Sequence, residues 1–137
     1  MGNALGFEVE LPMTIDRAMA RVKDVLKQEG FGVLTEIDLR AAFKEKLGKD
    51  FRPYVILGAC NPPLAYAAVT ADPSIGLLLP CNVTVESIDD TRTMVRLTDP
   101  EVLLGGLAAG LAPHLAEVAK DARARMVRAA EALRQVG

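Results

Sequence analysis

Two Cys-Asn dipeptides hold the side chains of this chain that are best suited to chemistry. Cys60 and Asn61 stand between an apolar run, which predicts a strand, and a Pro-Pro pair, which predicts a helix start. A thiol in front of a helix can have its pKa lowered by the helix dipole, and Asn61 would then be its polar companion or the N-cap of the helix. The alternative is structural: Cys60 is a small buried hydrophobic residue, and Gly58 permits close packing. Both interpretations remain open on the sequence.

The second dipeptide, Cys81-Asn82, follows Pro80. Strand alternation places Cys81 on the same side as Val83 and Val85, which predicts a position facing the core, and places Asn82 on the opposite side. Twenty residues lie between the two cysteines, so the spacing fits neither a CxxC redox motif nor a zinc pattern. The two thiols would approach each other only if their strands are neighbours.

Other residues add little to this picture. His114 is the single histidine, and with two thiols it would leave a tetrahedral zinc site one ligand short. The glycine-rich stretch 105–110 lacks the order of a dinucleotide loop and the lysine of a phosphate loop. Arg92 and Arg96 share a strand face, where cross-strand pairing with Glu86 is a simpler explanation than anion binding. The sequence therefore predicts no metal site, identifies no catalytic set and leaves any cofactor unknown.

The composition restricts the class of protein. With 137 residues, half of them hydrophobic, the chain fits one domain over residues 1–137. A net charge of −2 and the absence of Trp argue against a nucleic-acid surface, which needs a basic footprint and often aromatic platforms. No secretory segment is visible, and the longest uncharged stretch is shorter than the ~20 residues that span a bilayer. We therefore expect a soluble cytoplasmic protein with reduced thiols and no membrane or nucleic-acid partner.

Hydrophobic periodicity predicts the elements that position the two dipeptides. Alternation at Phe7, Val9 and Leu11 predicts a strand, and helical spacing predicts a helix over residues 15–29 with Thr14 as N-cap. A second strand over residues 31–37 should place its residues 33, 35 and 37 on one side. A short helix should follow Asp38, turn Leu39, Ala42, Phe43 and Leu47 inward, and end at Gly48.

The second half of the chain is predicted in the same way. A strand over residues 54–60 and a helix over residues 65–71 precede a long strand over residues 75–88 that bends at Pro80. A return strand over residues 91–98 completes a hairpin, and a terminal helix runs from Pro113 to about Val136. The apolar stripe of this helix should consist of Leu115, Ala119, Ala122, Met126, Ala129 or Ala130, and Leu133. The order β-α-β-α-β-α-β-β-α predicts an α+β fold with a mixed, mainly antiparallel sheet of about five strands packed by helices.

The runs Gly58–Ala65 (GACNPPLA) and Leu78–Val85 (LLPCNVTV) resemble the bacterial and archaeal family called domain of unknown function 302. The resemblance extends from the first helix through the hairpin near Thr98. It implies a compact α+β domain of the kind grouped with TATA-binding-protein-like sheets, and a homodimer. It implies no DNA binding, since a fold does not fix a function, and it brings no activity, substrate or cofactor.

Two functional hypotheses follow. The first is a non-catalytic, homo-oligomeric module that binds a small molecule or a partner, with Leu107 and Leu111 suited to a dimer contact. The second is a thiol-dependent redox or metal-handling protein that uses Cys60 with Cys81. Under either hypothesis the ligand-binding candidates are Cys60, Asn61, Cys81 and Asn82, and whether the protein is an enzyme remains undecided.

Overall fold

The computed structural model describes residues 3–107 and 115–135. Within these ranges there are five strands and four α-helices, with a 3₁₀ helix at Pro73–Leu78 and a π-helix at Glu101–Leu107. The strands are β1 (Gly6–Leu11), β2 (Gly32–Asp38), β3 (Tyr54–Cys60), β4 (Cys81–Asp89) and β5 (Arg92–Thr98). The helices are α1 (Ile15–Gln28), α2 (Leu39–Leu47), α3 (Pro62–Ala71) and α4 (Leu115–Arg134).

The strands form one sheet in the order β1-β5-β4-β3-β2, and each of the four neighbouring pairs is antiparallel. The predicted α+β fold and element order are therefore confirmed. β3, which ends at Cys60, lies directly beside β4, which begins at Cys81. This neighbouring position is the condition under which the two thiols were expected to meet.

Local signals explain the two long helices. The hydroxyl of Thr14 accepts a hydrogen bond from the Arg17 amide at 3.4 Å, and Gly30 supplies a left-handed φ of +84° just beyond the end of α1. The predicted apolar stripe of α4 is buried along its whole described length. Its members are Leu115, Ala119, Ala122, Met126, Ala129, Ala130 and Leu133.

Two groups of buried side chains stabilise the described part of the chain. The larger group, here called the main core, lies between the sheet and the helices α1 and α4. It contains Val9, Leu11, Met13, Ala18, Val22, Val25, Leu26, Phe31, Leu57, Ala59, Cys81, Val83, Val85, Val95, Leu97, Met126, Ala129, Ala130 and Leu133. The smaller group, here called the satellite cluster, consists of Ala68, Ile75, Leu104, Leu115 and Ala119. α4 contributes to both groups and so connects them.

β2 departs from the predicted alternation. Val33 lies opposite Ala59, Thr35 lies opposite Gly58, and the residue between them forms a bulge. Val33 therefore packs against the main core while Thr35 lies on the other sheet face, so the predicted common side for residues 33, 35 and 37 was wrong. A bulge adds one residue to one strand, and a period-2 pattern in the sequence does not reveal it.

Two further predictions were wrong in part. The predicted long strand begins too early: its residues 75–78 belong to the 3₁₀ helix Pro73–Leu78, because Asp72 accepts a hydrogen bond from the Ser74 amide at 2.9 Å and Pro73 favours a helical start. In addition, α2 has no buried residue, and Leu47 is 65% exposed rather than turned inward. No helix in the described ranges combines the length and the apolar character needed to cross a membrane.

Candidate functional site

The backbone register of β3 and β4 brings the two cysteines to one end of the sheet. Cys81 lies directly opposite Ala59, and Cys60 is the next residue along β3, where it also faces Gly32 of β2. Cys60 and Cys81 are therefore diagonal neighbours, offset by one position across two strands that lie about 4.7–4.9 Å apart. β3 then continues into α3, and the chain enters β4 from Pro80.

Both thiols line one pocket, here called the Cys pocket. It lies where the main core meets the satellite cluster, since Cys81 belongs to the first and Leu104 to the second. The lining residues are Phe31, Ala59, Cys60, Asn61, Leu64, Ala65, Ala68, Leu79, Pro80, Cys81, Leu104, Val118 and Ala122. The cavity has a volume of about 30 Å³, enough for a water-sized occupant.

Burial determines the state of both thiols. Cys81 is 8% exposed, and burial, followed by the neighbouring Cys60 thiol, raises the pKa of Cys81 to about 11. Cys60 is half-buried, and burial likewise raises its pKa above the ordinary value. The lowered pKa considered for Cys60 is therefore not found. The first two residues of α3 are Pro62 and Pro63, which have no amide hydrogen to direct at a thiolate.

Asn61 caps α3 and also fastens it to α1. Its side-chain oxygen accepts a hydrogen bond from the Leu64 amide at 3.2 Å, and its Nδ2 donates to the carbonyl of Glu29 at 3.5 Å. Arg125 of α4 donates to the same carbonyl at 2.9 Å. Asn61 is only 7% exposed, and both its side-chain oxygen and its side-chain nitrogen have hydrogen-bond partners. Its structural role is therefore to hold α1, α3 and α4 together. Of the two predicted roles, the N-cap is the one observed.

Gly58 determines how closely Pro80 approaches the sheet. A Cβ atom at this position would meet Pro80 Cγ at 2.7 Å and would overlap the hydroxyl of Thr35. The expectation that Gly58 permits close packing is confirmed. This packing holds Pro80, and with it Cys81, against the end of β3.

Asn82 lies apart from the other three candidates. It is exposed on the opposite face of the sheet from Cys81, and its carbonyl accepts a hydrogen bond from the Thr98 hydroxyl at 2.6 Å. Its side of the sheet contains a shallow groove of about 180 Å³ that Tyr54, Thr84 and Arg96 also line. The structure thus brings Cys60, Asn61 and Cys81 together and separates Asn82 from them.

Ion pairs occupy the centre of that face. Arg96 contacts Glu86 at 2.5 Å and Glu8 at 2.7 Å, and Arg52 binds the other oxygen of Glu86. Burial favours a raised pKa for Glu86, but the hydrogen bonds from Arg96 and Arg52 outweigh it and hold the pKa below its ordinary value. The predicted pairing of Arg96 with Glu86 is confirmed. Arg92 instead contacts Asp89 at 2.8 Å and Glu10 at 3.7 Å.

Several sequence predictions cannot be placed in this geometry. His114, Leu111 and the end of the glycine-rich stretch lie outside the described residues, as does the side chain of Leu107. Within the described ranges, no three His, Cys, Asp or Glu side chains are grouped so that they could hold a metal ion. The sequence did not reveal the apolar lining from Phe31, Leu64 and Leu104, because nothing in its spacing shows that these residues share a wall.

Comparison with known proteins agrees with the fold. A family model described as "Domain of unknown function DUF302" matches residues 7–133. A crystal structure of an uncharacterized conserved DUF302 protein from Bacillus stearothermophilus superposes with a TM-score of 0.80 at 31% sequence identity. This match covers 93% of the present chain and 97% of that chain. No curated protein matches the chain. The chain therefore belongs to the DUF302 family.

Proposed function

We propose that this protein is a non-catalytic binding module and that the Cys pocket is its ligand site. One observation carries the proposal: apart from the two thiols, no residue of the described lining is ionisable. Acid–base or nucleophilic catalysis needs a proton donor or acceptor within hydrogen-bond reach of the reacting atom. The described wall contains apolar side chains and Asn61, which already acts as a helix cap.

The size of the pocket restricts the ligand. Sites for drug-sized molecules usually enclose about 300–1,000 Å³, whereas the Cys pocket encloses about 30 Å³. The ligand is therefore a compact, soft species that interacts with sulfur rather than a metabolite with several polar groups. The sequence suggested a small-molecule ligand of any kind, and the pocket volume restricts that proposal to compact species that bind sulfur.

Arsenite is a suitable probe, because one arsenic atom bonds to two neighbouring thiols. We expect arsenite to shift the amide resonances of Ala59, Leu64 and Ala65 in ¹⁵N-labelled protein at one equivalent per chain. The Cys60→Ser variant should show none of these shifts. Wild-type protein whose spectrum does not change with arsenite would contradict the proposed site.

Alkylation kinetics test the non-catalytic part of the proposal. Cys60 should react with iodoacetamide more slowly than a free cysteine near neutral pH, and Cys81 should react only when the structure opens. Rapid alkylation of Cys60 in the native protein would favour catalysis instead.

The shared pocket also favours a second candidate, a reversible disulfide between Cys60 and Cys81. Exchange with oxidised glutathione would convert the two thiols to one disulfide and release two molecules of reduced glutathione, which lowers the protein mass by about 2 Da. Mass spectrometry should then find the peptides of β3 and β4 linked. Glutathione adducts on one cysteine, without the internal link, would argue against this candidate.

We further propose that the module is a homodimer, formed over residues 1–137 as one domain. The support is a set of exposed apolar side chains on β2 and α2, where Leu34 is 68%, Ile37 47% and Leu47 65% exposed, together with the position of β2 at the edge of the sheet. Light scattering after size exclusion should give twice the chain mass, and Leu34→Lys with Leu47→Lys should give a monomer. Leu77→Lys, which changes another exposed leucine, is the matched control. A wild-type monomer at every concentration would refute the dimer.

A further inference from the structure

We propose that the Cys pocket binds one Cu(I) ion through the sulfurs of Cys60 and Cys81 in two-coordinate geometry. The inference rests on the proposed function and deepens it, because it names the class of ligand that the same pocket takes.

The ligand set favours this ion over other metals. The two thiols lie on neighbouring strands, one position apart in the register, and line one pocket, and no third His, Cys, Asp or Glu joins them in the described part of the chain. Zn²⁺ in structural sites takes four ligands, and Ca²⁺ and Mg²⁺ take six or more oxygen ligands, whereas the one side-chain oxygen of the described wall, Asn61 Oδ1, already accepts a hydrogen bond from the Leu64 amide. Soft sulfur ligands select Cu(I), and a d¹⁰ monovalent ion is stable between two thiolates alone.

The shape and lining of the pocket agree with a single ion. A cavity of about 30 Å³ accommodates a single ion, and the apolar side chains of Phe31, Leu64 and Leu104 line it and limit the access of water to Cys81, which is 8% exposed. Exclusion of water matters because hydrated Cu(I) disproportionates, whereas Cu(I) held by two sulfurs in an apolar pocket is protected. The close packing of Pro80 on Gly58 holds the strand that carries Cys81 in place.

The binding step balances without a redox partner. Cu(I) and two thiols give one bis-thiolate complex with a net charge of −1 and two protons, which pass to the solvent. Copper remains monovalent throughout, and two copper–sulfur bonds replace two sulfur–hydrogen bonds.

The experiment is an anaerobic titration of the full chain with Cu(I) against the coloured chelator bathocuproine disulfonate. Wild-type protein should remove one Cu(I) per chain from the chelator, and X-ray absorption should show two short copper–sulfur distances. Cys60→Ser and Cys81→Ser should each weaken binding by at least about tenfold. Circular dichroism establishes that each variant is folded before it is compared.

A matched control keeps the number of thiols constant. Cys81→Ser combined with Thr91→Cys has two thiols, but Thr91 lies beyond the far end of β4, about 25 Å from the pocket at the usual rise per strand residue. This variant should lose Cu(I) binding as Cys81→Ser does. The inference is overturned if the control binds like wild type, or if wild type does not compete with the chelator. If arsenite still binds through both cysteines in that case, the proposed ligand site stands and only its assignment to Cu(I) fails; if neither binds, both fail.

Discussion

At the residue scale, the raised pKa of Cys81 makes stability depend on alkaline pH. The folded chain keeps this proton up to about pH 11, whereas the ordinary value is 9.0. Between these values the unfolded chain binds fewer protons than the folded chain, so the free energy of unfolding falls as pH rises. Below pH 9 the Cys81 thiol is protonated in both states, and its full contribution to the free energy of unfolding is present.

Between pH 9 and about pH 11, the free energy of unfolding should fall by about 2–3 kcal/mol as Cys81 loses its proton in the unfolded chain. Urea unfolding of wild type and Cys81→Ala at about pH 8 and about pH 10.5 measures it, because the alanine variant contains the other titrating groups but not the thiol. The stability of wild type should fall more steeply than that of the variant. Equal falls would show that Cys81 titrates in the folded protein as it does in the unfolded one.

Gly58 provides a second prediction at this scale. A methyl group at residue 58 would overlap the Thr35 hydroxyl and lie 2.7 Å from Pro80 Cγ, so Gly58→Ala should destabilise the fold by about 1–3 kcal/mol through overpacking. The same change should displace Pro80 and reduce arsenite binding in the Cys pocket. Gly32→Ala is the control, since an added Cβ there meets nothing within 4 Å. If the two variants have equal urea midpoints, the close packing of Thr35 and Pro80 on Gly58 is not a source of stability.

At the element scale, the sequence predicted the strands and helices that follow a single period. The alternation at Cys81, Val83 and Val85 correctly predicted which side of β4 faces the core, and the stripe of α4 was correct at every described position. The errors fall where a period breaks. The bulge of β2 and the 3₁₀ helix before β4 depend on local hydrogen bonds, among them the one from the Ser74 amide to Asp72, and these do not leave a repeating pattern.

Glu86 connects β4, β5 and the segment before β3, and so gives the prediction at this scale. Its side chain is buried beneath Arg96 and Arg52. Glu86→Gln removes the charge that both guanidinium groups contact, and should cost about 1–3 kcal/mol at neutral pH. Because the pKa of Glu86 is lowered in the folded protein, wild type should lose this contribution as pH falls below the ordinary value of 4.5.

The control for Glu86 is Glu10→Gln. Glu10 is exposed and meets Arg92 at 3.7 Å, so the change should cost less than about 1 kcal/mol. Urea unfolding at about pH 7 and about pH 3.5 separates an effect of the Glu86 charge from an effect of side-chain packing. The difference between wild type and Glu86→Gln should shrink at the lower pH, and a constant difference would mean that packing, rather than charge, explains the cost.

At the scale of the whole molecule, the Cys pocket is assembled from segments far apart in the chain. Phe31 precedes β2, Cys60 and Cys81 lie on β3 and β4, and Val118 lies on α4. The repeated Cys-Asn dipeptide led to four candidate residues, of which Cys60, Asn61 and Cys81 line the pocket and Asn82 does not. The repeat does not show that β3 ends beside the start of β4, so the sequence alone could not separate Asn82 from the other three. Strand order and register decide the site, and both are properties of the whole sheet.

The position of the pocket between two groups of buried side chains predicts how the molecule opens. The main core holds the sheet and its helices, whereas the satellite cluster is much smaller, with only Ala68 and Ile75 from α3 and the following 3₁₀ helix. Less buried apolar surface means a lower free energy of local opening. We therefore expect α3 and residues 73–78 to open while the sheet remains folded, and this opening exposes Cys81.

Hydrogen exchange followed by mass spectrometry tests this expectation. Amides of residues 64–78 should exchange faster than those of β4 and β5. Ile75→Ala should accelerate exchange in that segment with little change in the sheet, because the lost contacts belong to the satellite cluster. Val95→Ala, in the main core, should accelerate exchange in both regions.

Cys81 should react with iodoacetamide at a rate that rises with Ile75→Ala, and a bound arsenite should slow exchange in residues 64–78. Uniform exchange rates, unchanged in their ratio by Ile75→Ala, would show that the two groups unfold as one unit and that the pocket does not open by itself.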